Sequence, residues 1–391
     1  MVRSRLAWAA IALFCAVVLT TQARAKEPIE IIAAFNLTGA DSVLDVSAYR
    51  GAKLAVQEIN GTGGVYWRPL KLIEVDTQSD PSSTAAKMRA ALEANPDTVA
   101  GVGFSYNTYA LQAGPVFQAA GLPFVSPGAT GSKVPEQVGD DMFLIAYGDD
   151  AQARAMAEFA RTELRLSNVI VWMNADRDYT RTVGRYFTEF LGRSGGRVQL
   201  RRYDGRKTDF SDLIEYVQKS DPKVDGIYAA SLPSTAVQLI GQVRAAGIDI
   251  PLMSGDGWDE KDIVDLSRSK QLGGIYFTTH RFLGVDTPAM LSFIAAYTRA
   301  YGEAPTDAFA PLGYDAVYLI ADAIRRAGSA KPAAIRAALA DTKHFPGIVG
   351  EIAYPPDKRI PDKVVSVVRV DDGAAKVMWT GRAKSSASAA D

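Results

Sequence analysis

The sequence predicts an α/β fold of two similar lobes, each a parallel sheet flanked by helices, joined by a hinge of several short strands. Three observations carry this. Runs rich in Ile and Val alternate with helix-length amphipathic segments, as parallel strands buried between crossover helices require. The alternation is written twice along the chain. Gln118-Ala119-Ala120-Gly121-Leu122-Pro123 is echoed by Arg244-Ala245-Ala246-Gly247-Ile248, and in each a glycine closes a helix and an apolar strand begins.

The first round opens with a strand over 29–35. Helix 47–59, strand 70–75, helix 82–94, strand 99–104, helix 108–120 and strand 123–126 follow. The second round starts with strand 169–173. Helix 180–192, strand 198–203, helix 210–220, strand 226–230, helix 234–246 and strand 251–254 complete it. Each lobe then recruits later segments. Strands are expected over 275–279, 348–354 and 364–370, and helices over 288–301, 313–327 and 332–340. The chain therefore crosses between lobes more than once. Residues 26–147 with about 282–345 form the first lobe; 148–281 with about 346–380 form the second; 381–391 are a flexible tail.

Residues 1–25 read as an address. Arg3 and Arg5 precede an apolar stretch over 6–19, and Ala23-Arg24-Ala25 supplies a small-residue cleavage site, the pattern of a secretory signal peptide. The apolar stretch falls short of the roughly 20 residues a spanning helix needs. Cleavage near Ala25 removes three arginines and no acid, leaving 40 basic and 44 acidic residues, and it removes Cys15, the single cysteine. The mature chain enters an oxidising compartment without disulfides and relies on packing. The acid-leaning balance lacks the basic stripe of a nucleic-acid binder. Two histidines and one cysteine leave no Cys/His zinc cluster, and no metal or cofactor is expected.

Ligands in open parallel sheets bind beyond the carboxyl ends of the strands. In the first lobe these ends read Asn36-Leu37-Thr38-Gly39, Ser105-Tyr106-Asn107-Thr108 and Pro127-Gly128-Ala129-Thr130-Gly131, all uncharged. Ser105 and Thr130 stand where backbone N–H groups are unpaired, so their hydroxyls either cap helices or receive an anion such as a carboxylate. The second lobe offers Asn174-Ala175-Asp176-Arg177-Asp178-Tyr179, Ser231-Leu232-Pro233-Ser234 and Gly255-Asp256-Gly257-Trp258. Asp256 is either a turn residue between glycines or the partner of an ammonium. Tyr179 and Trp258 are pocket walls or ordinary packing. An anion-accepting shelf facing an acid suits a zwitterion.

Leu37-Thr38-Gly39, Tyr49-Arg50-Gly51-Ala52, Glu58-Ile59-Asn60 with Gly63-Gly64-Val65, the stretch from Gly121 to Thr130, Asp209-Phe210-Ser211 and Gln242-Val243-Arg244-Ala245-Ala246-Gly247 together resemble the branched-chain amino-acid-binding (Leu/Ile/Val-binding) family. These are periplasmic solute-binding proteins of ABC importers with the type I two-lobe fold. The resemblance runs from Ile29 to about Trp379. It implies that Ser105 holds a ligand carboxylate, that Thr130 uses hydroxyl and N–H, and that Gly128 offers a carbonyl to the ammonium, with Ala129 between them. It further implies that Tyr179 closes over the ligand and that Asp256 faces the ammonium. Leu44 and Leu232 stand near pocket tyrosines of leucine-binding members, and with Tyr106 and Trp258 they are the candidate pocket wall; this part of the pocket departs from the family pattern. An amino acid is the implied ligand, and relatives of this fold also take amides, urea or aromatic acids. The implied partners are an ABC permease and its ATPase, with the binding protein a monomer; the same lobes in a sensor are the alternative.

Enzyme motifs are absent or incomplete. No His-Glu-x-x-His occurs. Gly103-Phe104-Ser105-Tyr106-Asn107 lacks the last glycine of a nucleophile elbow. Gly101-Val102-Gly103 lacks the third glycine of a dinucleotide fingerprint, and Gly128 to Lys133 is too short for a P-loop. His280 and His344 have no evident nucleophile beside them. The sequence therefore reads as a binding protein, not an enzyme.

Overall fold

The computed structural model describes residues 26–280 and 286–382. The expected leader over 1–25 lies outside the described residues, as does the expected tail apart from Gly381, which ends a strand, and Arg382.

Two sheets share one plan. The first contains β1 (Ile29–Phe35), β2 (Leu70–Asp76), β3 (Thr98–Gly103), β4 (Phe124–Ser126) and β5 (Met142–Leu144) in the order β2-β1-β3-β4-β5, all parallel. Between them run α1 (Ser42–Gly61), α2 (Pro81–Ala94), α3 (Asn107–Ala120) and the short α4 (Val134–Val138). The second sheet repeats the order with β6 (Asn168–Asn174), β7 (Arg197–Tyr203), β8 (Gly226–Ala230), β9 (Leu252–Ser254) and β10 (Ile275–His280), arranged β7-β6-β8-β9-β10. Antiparallel β11 (Val365–Asp371) and β12 (Ala374–Gly381) extend it. Its helices are α5 (Asp149–Thr162), α6 (Asp178–Arg193), α7 (Ser211–Lys219), α8 (Pro233–Ala245) and α9 (Lys261–Lys270). The central strands are buried on both faces, which is why they read as unbroken apolar runs rather than alternating ones.

Three late helices follow β10: α10 (Pro288–Tyr301), α11 (Phe309–Ala327) and α12 (Pro332–Ala340). They pack on the first sheet's side, with α11 lying along α1 and reaching β3 and β4. Backbone contact sets this pairing. A Cβ on Gly313 would stand 1.8 Å from the Ala48 carbonyl oxygen, and one on Gly51 1.8 Å from that of Ala310. Among the described residues, 145–148 and 341–364 link the two sheets. Leu144 N–H, at the end of β5, donates to Arg359 O at 2.8 Å and ties 341–364 to the first sheet.

Several elements differ from the sequence reading. The first helix begins at Ser42, five residues early, because Asp45 turns inward to bond the Asn36 backbone and side chain and so breaks the apolar period. β5 spans three residues, too few to show periodicity, and the alanine-rich α5 was not foreseen. The expected strand over 348–354 is absent apart from one bridge, Phe345 to Ile352. The N–H groups of Ile348 and Val349 donate instead to the buried Asp315 carboxylate, at 2.9 and 3.2 Å, and are lost to any ladder. β12 was also unforeseen. It is an edge strand whose side chains alternate between half-buried and exposed.

Candidate functional site

The carboxyl ends of the two sheets face each other across a small cavity. Leu44, Ser105, Tyr106, Asn107, Gly128, Thr130 and Phe309 line it from the first lobe; Tyr179, Leu232, Asp256 and Gly257 line it from the second. Among these lining residues none is cationic, and Asp256 is the one acid.

Ser105 is presented by a strained turn. Phe104 has φ 61°, a region bulky residues rarely enter, with its carbonyl taken by the Ser126 hydroxyl at 2.7 Å. The Ser105 N–H donates to Asp45 Oδ1 at 2.6 Å, while its hydroxyl is buried with no protein partner. Capping does not explain it, since α3 has Tyr106 at its N-cap and no side-chain cap bond. Burial pushes the Asp45 carboxyl up to about 7 against hydrogen bonding from Asn36 and Ser105 that favours its ionised form.

Thr130 sits in the turn after β4. Its N–H and that of Gly131 both donate to Asn107 Oδ1 at 2.9 Å, so the amide the family resemblance assigned to the ligand is already engaged. The Thr130 amide is thus closed to a guest, whereas the Ser105 hydroxyl is free. Gly128 allows close approach. A Cβ there would lie 2.7 Å from the Phe309 ring and 2.8 Å from the Ser105 Cβ.

On the second lobe, Asp256 begins a short 3-10 turn after β9. Its Oδ1 accepts from the Tyr179 hydroxyl and from Gln152 Nε2, each at 3.0 Å, and Oδ2 lies 3.4 Å from His280 Nε2. Tyr179 Oη in turn accepts from the Gly257 N–H at 3.1 Å. Burial holds the His280 imidazole below its ordinary range and pushes the Tyr179 hydroxyl far above its own. Gly255 is required here because a Cβ would lie 2.3 Å from Tyr179 Oη.

The cleft is shut. Arg177, just before α6, places Nη2 3.1 Å from Oδ2 of Asp41, just before α1, and the Tyr109 hydroxyl donates to the same oxygen at 2.6 Å.

Of the residues singled out from sequence, Ser105, Gly128, Thr130, Tyr179, Asp256, Leu44, Tyr106 and Leu232 all line the cavity. Ala129 and Trp258 do not. Ala129 is wholly buried with its N–H on the Ser126 hydroxyl. Trp258 is packed in the second lobe's core, its indole N–H donating to Ser231 Oγ at 2.8 Å. Asn107, Gly257 and Phe309 were missed as lining residues. Asn107 and Gly257 adjoin the strand ends already read, whereas Phe309 comes from a helix distant in sequence and carried no local signal.

Comparison with known proteins agrees with this fold. A family model described as periplasmic binding protein matches residues 28–375. An amino acid binding protein of Pseudomonas aeruginosa is 25% identical over 303 residues, 76% of this chain and 78% of that one. A Leu/Ile/Val-binding protein homolog of Brucella melitensis is 24% identical over 345 residues, 84% of this chain and 85% of that one. The crystal structure of a branched-chain amino acid transporter substrate-binding protein from Streptococcus pneumoniae, in complex with isoleucine, superposes with a TM-score of 0.83 at 25% identity, covering 90% of this chain and 99% of that one.

Proposed function

Because the chain belongs to the periplasmic binding protein family, we propose that it is the substrate-binding component of an ABC importer, capturing an amino acid between its lobes and delivering it to a permease. The observation that carries this is a closed inter-lobe cavity with a free hydroxyl, Ser105, on one wall and a single carboxylate, Asp256, on the other. The relatives named above support the substrate class.

In this reading the ligand carboxylate docks on the hydroxyls of Ser105 and Thr130. Closure brings Tyr179 and Asp256 onto the ammonium, which also meets the Gly128 carbonyl. Both ligand charges must find partners, because an unpaired charge in so enclosed a site is very unfavourable. The aliphatic and aromatic walls, Leu44, Tyr106, Leu232 and Phe309, take the side chain. No bond is made or broken; binding energy selects the closed shape that the permease reads. The protein acts as a monomer in the periplasm, after export and cleavage near Ala25. No helix among the described residues is long and apolar enough to cross a membrane.

A thermal-shift screen of amino acids, amides and small organic acids tests the assignment. The right ligand at a hundredfold excess over its dissociation constant stabilises the fold by about 2.7 kcal/mol. Ser105→Ala weakens amino-acid binding by roughly 1–3 kcal/mol, and Asp256→Asn by at least as much. Stabilisation by amides or organic acids with none from amino acids refutes the zwitterion assignment.

A further inference from the structure

We propose that Gln152 is a positioning residue of the ligand site, tying the first-lobe shelf to the second-lobe acid and setting the Asp256 carboxylate for its guest. The proposal rests on the ligand reading above and goes beyond it, because Gln152 does not line the cavity.

Gln152 lies in the first turn of α5, directly after the chain has crossed between the sheets, and is wholly buried. Its Oε1 accepts from the Asp256 N–H at 2.9 Å and from the Thr278 hydroxyl at 2.8 Å. Those two donors leave the amide one orientation, with Nε2 turned to two carboxylates at once. It donates to Asp256 Oδ1 and to Asp149 Oδ1, each at 3.0 Å. Two donors and two acceptors saturate the side chain.

The far end of the network reaches the other lobe. Asp149 Oδ2 accepts from Asn107 Nδ2 at 3.2 Å, and Asn107 Oδ1 receives the N–H groups of Thr130 and Gly131. A continuous path thus runs from the Thr130 turn through Asn107, Asp149 and Gln152 to Asp256 and Tyr179. Its ends are the groups assigned to the two ends of the ligand. One NH2 group stands between two buried acids and bridges them. Burial holds Asp149 well above the ordinary carboxylate range. The other groups facing this centre are the hydroxyls of Tyr147, Tyr179 and Tyr228, His280, Asp178 and Asp259.

Gln152→Glu keeps the shape and replaces the shared NH2 with an oxygen. Three carboxyl groups then crowd one buried point, and the arrangement survives only while the new one holds a proton. Isothermal titration with L-leucine is expected to give wild-type affinity that varies little with pH. For Q152E it is expected to be at least about tenfold weaker near pH 8, recovering toward wild type near pH 5.5. Equal affinity to wild type, or the same loss at both pH values, overturns the proposal. Should wild type bind no amino acid, the ligand reading fails separately and the melting temperature of the unliganded protein decides. Q152E must then lie below wild type near pH 8 and converge on it near pH 5.5, and a pH-independent offset overturns the role. Should Q152E fold at neither pH, Gln152→Leu decides. It must weaken L-leucine with one site still filled per chain or, where wild type binds no amino acid, lower the unliganded melting temperature. A wild-type result in that measurement overturns the proposal.

Discussion

Removing Arg177 should open the cleft. Arg177 and Asp41 each stand directly before a helix that carries a cavity residue, Tyr179 on α6 and Leu44 on α1, so their 3.1 Å ion pair clasps the mouth beside the site. The Asp41 side chain is 2% exposed and that of Arg177 30%. Truncating one partner of a fully buried pair costs about 3–5 kcal/mol. Here the Tyr109 hydroxyl still donates to Asp41, and the guanidinium is partly hydrated, which reduces the figure to about 2 kcal/mol. The loss falls on the closed state alone, since separating the lobes returns Asp41 to water. At 1.4 kcal/mol per factor of ten, Arg177→Ala lowers the closed-to-open ratio about 30-fold, and apparent ligand affinity by up to the same factor. Spin-label distances across the cleft, with and without L-leucine, measure the first quantity and titration calorimetry the second. The melting temperature of the unliganded variant should move far less than the affinity. An R177A protein with unchanged lobe separation and unchanged affinity would refute the clasp.

Other substitutions probe the fold. Gly313→Ala drives a methyl into the Ala48 carbonyl, 1.8 Å from its ideal position, forcing α1 and α11 apart. Chemical denaturation should register a loss of about 1–3 kcal/mol, and wild-type stability would mean the helices are not held in backbone contact. The pH dependence of stability follows from buried acids. Burial pushes Asp259 up to about 8 from 3.8, so between those values the native state keeps a proton that the unfolded chain has lost. Its contribution is full below about pH 4 and is lost as pH rises through about 8. Asp45, pushed up to about 7, acts in the same direction. The melting temperature of the unliganded protein should therefore fall across this window, and Asp259→Asn should flatten the slope. A slope unaltered by that substitution removes Asp259 as its source.

The sequence located cavity-lining residues where they sit at strand ends. Ser105, Thr130, Tyr179 and Asp256 each follow a strand within a few residues, so locating the strand located the residue. It failed where a side chain's surroundings come from elsewhere. Trp258 and Asp256 are two positions apart in one turn, yet one is core and the other lines the cavity. Nothing local distinguishes them. Thr130 was assigned two donors toward the ligand, and Asn107, 23 residues earlier, takes one of them.

Periodicity and helix-end glycines alone determined the doubled α/β plan, because strand burial and helix amphipathicity are set by neighbours close along the chain. Tertiary structure alone decided which polar groups remain free for a guest. The Ser105 N–H is consumed by Asp45, the Ile348 and Val349 amides by Asp315, and the Gln152 amide by two acids, all across separations of 33 to 104 residues except Asp149. A hydrogen-bonding group's availability depends on every donor and acceptor that folding brings within about 3 Å, and that inventory exists only once the chain has closed on itself.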